Sequence, residues 1–427
     1  MNRTAYPRLG EVTFQTVLPN GLTVMVVPRP GFSRKLAYFV TDYGAIHTDY
    51  RMEGKTYSAP AGVAHFLEHK MFDMPGERDI SAEFAALGTG VNAFTSYDLT
   101  AYYISCTEHF EESLRLLLEF VSTPYFTPES VEKEMGIIDQ EIGMNLDAPD
   151  SQVFENLATG LYREHPIRVP ILGSHDSIRE ITPQILYDCH RAFYTPGNML
   201  LCVVGDVDPH WVEEVAEAVL GKDPAPVGEK LLPRENSMDA VLAEQTCQME
   251  VPFPTFQLGF KCEPTEMGDE AIRQEIVGDL AAEALFGESS QLYLRLYESG
   301  IIDSSFGGGF ETVDNMAMLL CGGDSEDPQA VRQAILEEGA RIAREGLEEA
   351  DFIRMKRSAL GRRIRDLDSF DSVCFRMCAY HFSGFDYFRF PELYEKVDRT
   401  EVQEFLDRVI RPERCSLSVI EPNDQEV

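Results

Sequence analysis

His65-Phe66-Leu67-Glu68-His69 places two imidazoles and a carboxylate within about one helical turn. At about 100° per residue, positions four apart share a helix face with Cβ atoms roughly 5–6 Å apart, so His65 and His69 can reach one cation. Glu68 stands beside His69, where its carboxylate can border a metal site and take a proton from a water held there without itself being a ligand. Together these residue types can carry out metal-assisted hydrolysis. The plain alternative is an ordinary amphipathic turn, with Phe66 and Leu67 buried and the polar groups in solvent.

A second stretch, Glu134-Met135-Gly136-Ile137-Ile138-Asp139-Gln140-Glu141, reads as a helix with both glutamates on one face. A glutamate pair on a helix is by itself usually a solvated face. Beside the histidine motif it gains a second meaning. Zinc in a catalytic site usually takes three protein ligands and keeps one position for water, so two histidines are one ligand short. Glu141 would complete a His₂Glu set, of the kind that lowers the pKa of bound water to about 7. Glu134, two turns earlier, would then be a supporting electrostatic group. The order His-x-x-Glu-His inverts the commoner zincin pattern and is the inverzincin signature.

With their neighbours, these residues resemble the pitrilysin/insulinase family of zinc peptidases, in its bacterial two-domain, processing-peptidase-like branch. Pro19-Asn20-Gly21-Leu22 lies in a first hairpin, Gly62-Val63-Ala64 leads into His65, and Gly90-Val91-Asn92-Ala93-Phe94-Thr95 follows. Glu134 to Glu141, Gly173, Tyr194-Thr195-Pro196-Gly197-Asn198-Met199 and Val204-Gly205-Asp206 continue in family order, over about the first 210 residues. The resemblance implies zinc ligands His65, His69 and Glu141, one Zn²⁺ per chain, general base Glu68 and supporting Glu134. It also implies that Asn92 and Ala93, on an edge strand, contact the substrate backbone.

Composition agrees with a folded protein. The chain has 427 residues, 44% of them hydrophobic and 10% aromatic, enough for two or more domains with sizeable cores. Met1 to Pro7 lacks the apolar core of a signal peptide, and no run approaches the length of a membrane span, so a cytoplasmic protein is expected. Nine cysteines without a CxxC pair read as buried reduced thiols; Cys374 and Cys378 sit in a helix-like stretch with no matching pair. A formal charge of -35 argues against nucleic acid or an anionic membrane as partner and is compatible with cationic peptides.

The positioning elements can be read from periodicity. Glu11 to Val27, turning at Asn20-Gly21, and Lys35 to Tyr43 read as strands; Ile80 to Leu87 reads as a short helix, and Ala93 to Cys106 as strands around a turn. Helices follow from His109 through Asn145 and from Ser151 to Tyr162, then a strand Met199 to Val204 and a helix Trp211 to Leu220. Residues 222–236, with Asp-Pro-Ala-Pro-Val-Gly, lack periodicity and read as a linker between domains 1–221 and 237–427. Beyond it Gln248 to Lys261 is strand-like, Glu270 to Leu285 and Ser289 to Ser299 helical, Ser304 to Cys321 strand-like, and Pro328 to Glu345 and Glu348 to Asp366 helical. The repeated order predicts an α+β fold of two homologous domains, each a mainly antiparallel sheet with helices packed on one face. The second has no His-x-x-Glu-His, so one active site per chain is expected. Gly307-Gly308-Gly309 is not a phosphate loop, since no lysine follows; it reads as a bulge or close packing.

Many active members of the family carry in this half an arginine followed seven residues later by a tyrosine, which contact substrate and help stabilise the tetrahedral intermediate. Here Arg295 begins the matching run, but the tyrosine position holds Ile302, which cannot donate a hydrogen bond. Tyr297 stands at another spacing and reads as helix packing. Arg295 is the substrate-binding candidate of this half. Two domains supply half of the enclosure that larger relatives build in one polypeptide. A dimer is therefore expected, and the missing donor favours a heterodimer with a paralogue that carries the Arg-Tyr pair and could lack the zinc motif; the alternative is a chain that pairs with itself and manages with Arg295 alone. The expected function is zinc-dependent hydrolysis of extended peptides or unstructured segments. The competing class is a catalytically silent peptide-binding or scaffold paralogue, against which all three ligands and the base are present. A structural zinc site would favour four ligands and cysteine.

Overall fold

The computed structural model describes residues 1–76 and 78–423, so the last four residues of the segment 237–427 lie outside the described ones. Its N-terminal half is built on a seven-stranded sheet. The spatial order is Asn2–Tyr6, Glu11–Val17, Thr23–Pro28, Met199–Gly205, Lys35–Thr41, Thr100–Cys106 and Gly90–Thr95. Thr23–Pro28 and Met199–Gly205 run parallel and the other neighbours antiparallel.

The C-terminal sheet has five strands in the order Glu244–Met249, Cys415–Pro422, Thr255–Lys261, Met316–Asp324 and Gly307–Val313. Its first pair is parallel and the rest antiparallel, which is the order and sense of the last five strands of the N-terminal sheet. The repeat read from the alternation of elements is therefore a repeat of topology.

Each half lends a helix to the other's sheet. Pro149–Leu161 packs on Thr255–Lys261 and Cys415–Pro422, and Phe370–Phe382 packs on Met199–Gly205 and Lys35–Thr41. This exchange explains why Met199–Gly205 is apolar throughout and buried throughout. Leu201 and Val203 join the core beneath the N-terminal half's own helices, whereas Leu200, Cys202 and Val204 join a core containing Val373, Cys374 and Met377. Burying such side chains stabilises by roughly 1.5–3 kcal/mol each, so the exchanged helices bind the halves through their cores.

Several elements differ from expectation. Gln248 to Lys261 is two strands, broken at Val251-Pro252-Phe253-Pro254 because proline has no N–H for a ladder. Asn2–Tyr6 and Cys415–Pro422 are strands that the sequence reading did not assign. Within 222–236, Glu229–Lys230 pairs with Asp49–Met52, which in turn pairs with Lys55–Ser58. Among the described residues, no helix is long and apolar enough to cross a membrane.

Candidate metal centre

The helix Val63–Lys70 begins at Gly62, which has φ +88° and no side-chain cap. A Cβ there would lie 2.4 Å from the Leu172 carbonyl oxygen, and one on Gly173 would lie 2.5 Å from the Ala61 carbonyl oxygen. These two glycines let the helix start pass against the 172–173 backbone, and Ser177 Oγ donates to the Ala61 carbonyl at 2.9 Å. The short helix is buried nearly all round. Phe66 and Leu67 are inaccessible, as the amphipathic-turn alternative requires, but His65 and Glu68 are only 8% exposed, which that alternative does not allow.

Pro128–Leu146 lies alongside it, started by a Thr127–Ser130 capping box with Pro128 in the first turn. The structure brings His65, His69 and Glu141 together, one ligand atom from each lying within 4.8 Å of the others. His65 Nε2 is 3.7 Å from Glu141 Oε1, and His69 Nε2 is 3.8 Å from Glu141 Oε2. Both separations are too long for hydrogen bonds. Two donors at 2.0–2.2 Å from a tetrahedral zinc stand roughly 3.3–3.6 Å apart, so the set fits an ion of this size after small adjustments.

Glu134 turns inward and accepts the His69 Nδ1–H at 3.0 Å. Because an ionised carboxylate only accepts, this bond puts the proton on Nδ1 and leaves the Nε2 lone pair toward Glu141. Lys70, 1% exposed, supports Glu134: its Nζ is 3.8 Å from Glu134 Oε2, donates to the Ser130 carbonyl at 3.3 Å and pairs with Asp73. The bond from His69 holds the Glu134 carboxyl below its ordinary value and, reciprocally, raises His69. Burial, with the charge of His69 adding, pushes His65 down to about 4, so His65 keeps a free lone pair at neutral pH. Burial also raises Glu68, against a hydrogen bond from Thr95 Oγ1 to Glu68 Oε2 at 2.7 Å.

Asn92 is exposed and Ala93 half-buried on Gly90–Thr95, the free edge of the seven-stranded sheet. Asn92 Oδ1 accepts the Ala93 N–H at 2.9 Å, capping that edge group. Arg295 lies on the helix Gln291–Glu298 of the other half, with its guanidinium 3.9 Å from Glu338. Among the described residues, no hydrogen bond or ion pair joins Arg295 to the metal cluster. Ile302 is buried in the C-terminal core, and Tyr297, about half exposed, stacks on Tyr293 with ring centroids 5.7 Å apart.

Residues 52–175 match the insulinase family, peptidase family M16, and residues 180–359 match the M16 inactive domain. The chain is 34% identical over 426 residues to the zinc protease YmfH of Bacillus subtilis strain 168, covering 98% of both chains. The chain belongs to the insulinase family. It is a zinc metallopeptidase by its relatives and its histidine-glutamate cluster, and peptidases of this family act on peptides. Its fold superposes on the crystal structure of an M16-like peptidase from Alicyclobacillus acidocaldarius with a TM-score of 0.93, at 32% identity over 97% of this chain and 99% of that one. The periplasmic protease PqqL of Escherichia coli shares the fold alone (TM-score 0.76, 20% identity), matched over 99% of this chain and 48% of its own.

Sequence reasoning gave no role to two residues of this insulinase-family site, Thr95 and Lys70. Thr95 lay inside a recognised landmark, but its contact with Glu68 depends on how a strand and a helix meet across the fold. Lys70 follows His69 directly, and nothing in the spacing signals that its ammonium is buried against Glu134.

Proposed function

We propose that this chain is a zinc-dependent endopeptidase that cuts extended peptides or unstructured protein segments. His65, His69 and Glu141 hold one Zn²⁺ per chain, Glu68 is the general base, and Glu134 orients His69. The single observation that carries the reading is the convergence of the two imidazoles and the Glu141 carboxylate beside a buried Glu68. When bound there, zinc would lower the pKa of a water and polarise the scissile carbonyl. Glu68 takes the proton of the attacking water and passes it to the leaving amine nitrogen, for which burial suits it by raising its affinity for that proton. Glu134 fixes the His69 tautomer, and Lys70 keeps Glu134 charged.

The free edge Gly90–Thr95 accepts substrate as an added strand, with Asn92 and Ala93 contacting its backbone. Folded domains, which offer no free strand, are spared. The halves divide at 222–236. A second chain faces this one across the site, a paralogue that supplies the donor absent at Ile302 beside Arg295. PqqL supports this arrangement, since this fold fills only about half of that longer chain. All nine cysteines are free thiols and eight are buried, which suits a reducing cytoplasm.

Glu68→Gln and Glu141→Gln test the roles together. The first should keep zinc and lose kcat by about 10²–10⁴-fold, and the second should lose zinc itself. Equal metal loss in both variants, or full activity of Glu68→Gln, would overturn the assignment. Adding the candidate paralogue to the purified chain should raise peptidase activity; activity already complete without it would remove the heterodimer.

A further inference from the structure

The one hydrogen bond that the Glu68 carboxylate accepts among the described residues comes from Thr95, at 2.7 Å to Oε2. Thr95 has a single hydroxyl proton, and among the described residues the Glu68 carboxylate, at 2.7 Å, is the nearest side-chain acceptor for it. The nearby Thr100 hydroxyl is 3.5 Å away and commits its own proton to the Tyr43 carbonyl at 2.9 Å. The Thr95 backbone is fixed as well. It is the last residue of Gly90–Thr95, in register with Thr100, and the following turn is closed by Ser96 N–H to the Leu99 carbonyl at 2.8 Å. A glutamate has three side-chain torsions, and a buried carboxylate without a partner is costly. One donor on a rigid strand therefore decides where this carboxylate sits.

We infer that Thr95 is a positioning residue for Glu68, holding one oxygen of its carboxylate and leaving the other free to accept a proton. The inference rests on the reading of Glu68 as the base. It also ties the base to the strand that aligns the substrate, so that the proton acceptor and the peptide share one rigid unit.

Thr95→Val and Thr95→Ser, with Glu68→Gln as reference, test this in the zinc-loaded protein. Thr95→Val should stay folded and keep its zinc, with a melting temperature within a few degrees of the natural protein, and lose kcat by about 10- to 100-fold with KM within about twofold, the rate equivalent of one charge-assisted hydrogen bond. Thr95→Ser should recover kcat to within about threefold of the natural protein, because it restores the donor. A crystal structure of Thr95→Val should show the Glu68 carboxylate displaced or in more than one rotamer. An unmoved Glu68 in that crystal structure, an unchanged kcat, or a loss confined to KM would overturn the positioning role. If Glu68→Gln kept full activity the base assignment would fail, and the Thr95→Val crystal structure would still decide whether Thr95 holds the carboxylate.

Discussion

The N-terminal half gathers His65, His69 and Glu141 from two helices, and the C-terminal half gathers Glu275, Asp279 and Arg363 from the two helices in the same places of the repeat. Asp269–Phe286 follows the strand Thr255–Lys261 as Val63–Lys70 follows Lys35–Thr41. Glu349–Arg365 is the second helix after its edge hairpin, as Pro128–Leu146 is after the other. Glu275 and Asp279 stand four apart, like the two histidines. Arg363, 4% exposed, donates from Nη2 to Glu275 Oε1 at 2.6 Å, and the Tyr380 hydroxyl donates to the same carboxylate. The charge that balances the C-terminal carboxylates is thus attached to the chain. At the N-terminal position two imidazoles and a carboxylate stand together, and the cation proposed there would be taken from solution. One helix pair forms a salt-bridged core and the other carries the proposed metal site.

The largest effect that separates the halves should come from His69→Ala, which removes one of the proposed ligands. It should lose zinc and at least about 10³-fold in activity while the C-terminal half keeps its stability, as read by metal analysis and by hydrogen exchange over Asp269–Phe286. Loosening of that helix by a chelator would break the comparison.

Arg363→Ala should cost about 3–5 kcal/mol in urea unfolding, because it leaves buried carboxylates uncompensated. Zinc should not offset the loss. A cost below about 1 kcal/mol would mean that Arg363 is not the fixed counter-ion.

Asp279 gives the comparison a pH signature. Burial, with the charge of Glu275 adding, raises its carboxyl from an ordinary 3.8 to about 7. The folded state therefore holds a proton that the unfolded chain releases, and the stability this confers below about pH 4 is lost as pH rises toward 7. Asp279→Asn should flatten this segment of the stability curve and stabilise the protein at pH 8, by at most about 4 kcal/mol. An unchanged slope in thermal melts across pH 5–8 would contradict it.

The smallest contrast lies in the glycines that start the two helices. Gly62 and Gly268 both have positive φ, but a Cβ on Gly62 meets the Leu172 carbonyl oxygen at 2.4 Å, whereas the nearest atom to one on Gly268 is 3.8 Å away. Alanine at either position should cost about 1–3 kcal/mol from backbone strain. Only Gly62→Ala should also weaken zinc binding by shifting the helix that carries His65 and His69, which calorimetric zinc titration of both variants would read.

Local spacing made the metal cluster legible. His65 and His69 at i and i+4 and Glu134 and Glu141 on one helix face needed no knowledge of what packs where. Most elements were legible for the same reason, since period and turn residues are local. The strand Cys415–Pro422 was not, because its Ser416 and Ser418 look solvent-facing yet are fully buried. Ser416 lies under Gly160 of the exchanged helix Pro149–Leu161, where small residues let helix and sheet approach. Arg363 against Glu275 and Thr95 against Glu68 were hidden likewise, since each contact joins segments that meet only after the sheets form.

Anomalous scattering at the zinc edge from crystals grown with zinc tests the central contrast most directly. The account predicts one strong peak per chain, about 2.0–2.2 Å from His65 Nε2, His69 Nε2 and a Glu141 oxygen, and none beside Arg363. A peak among Glu275, Asp279 and Arg363, or no peak at the two histidines, would contradict it.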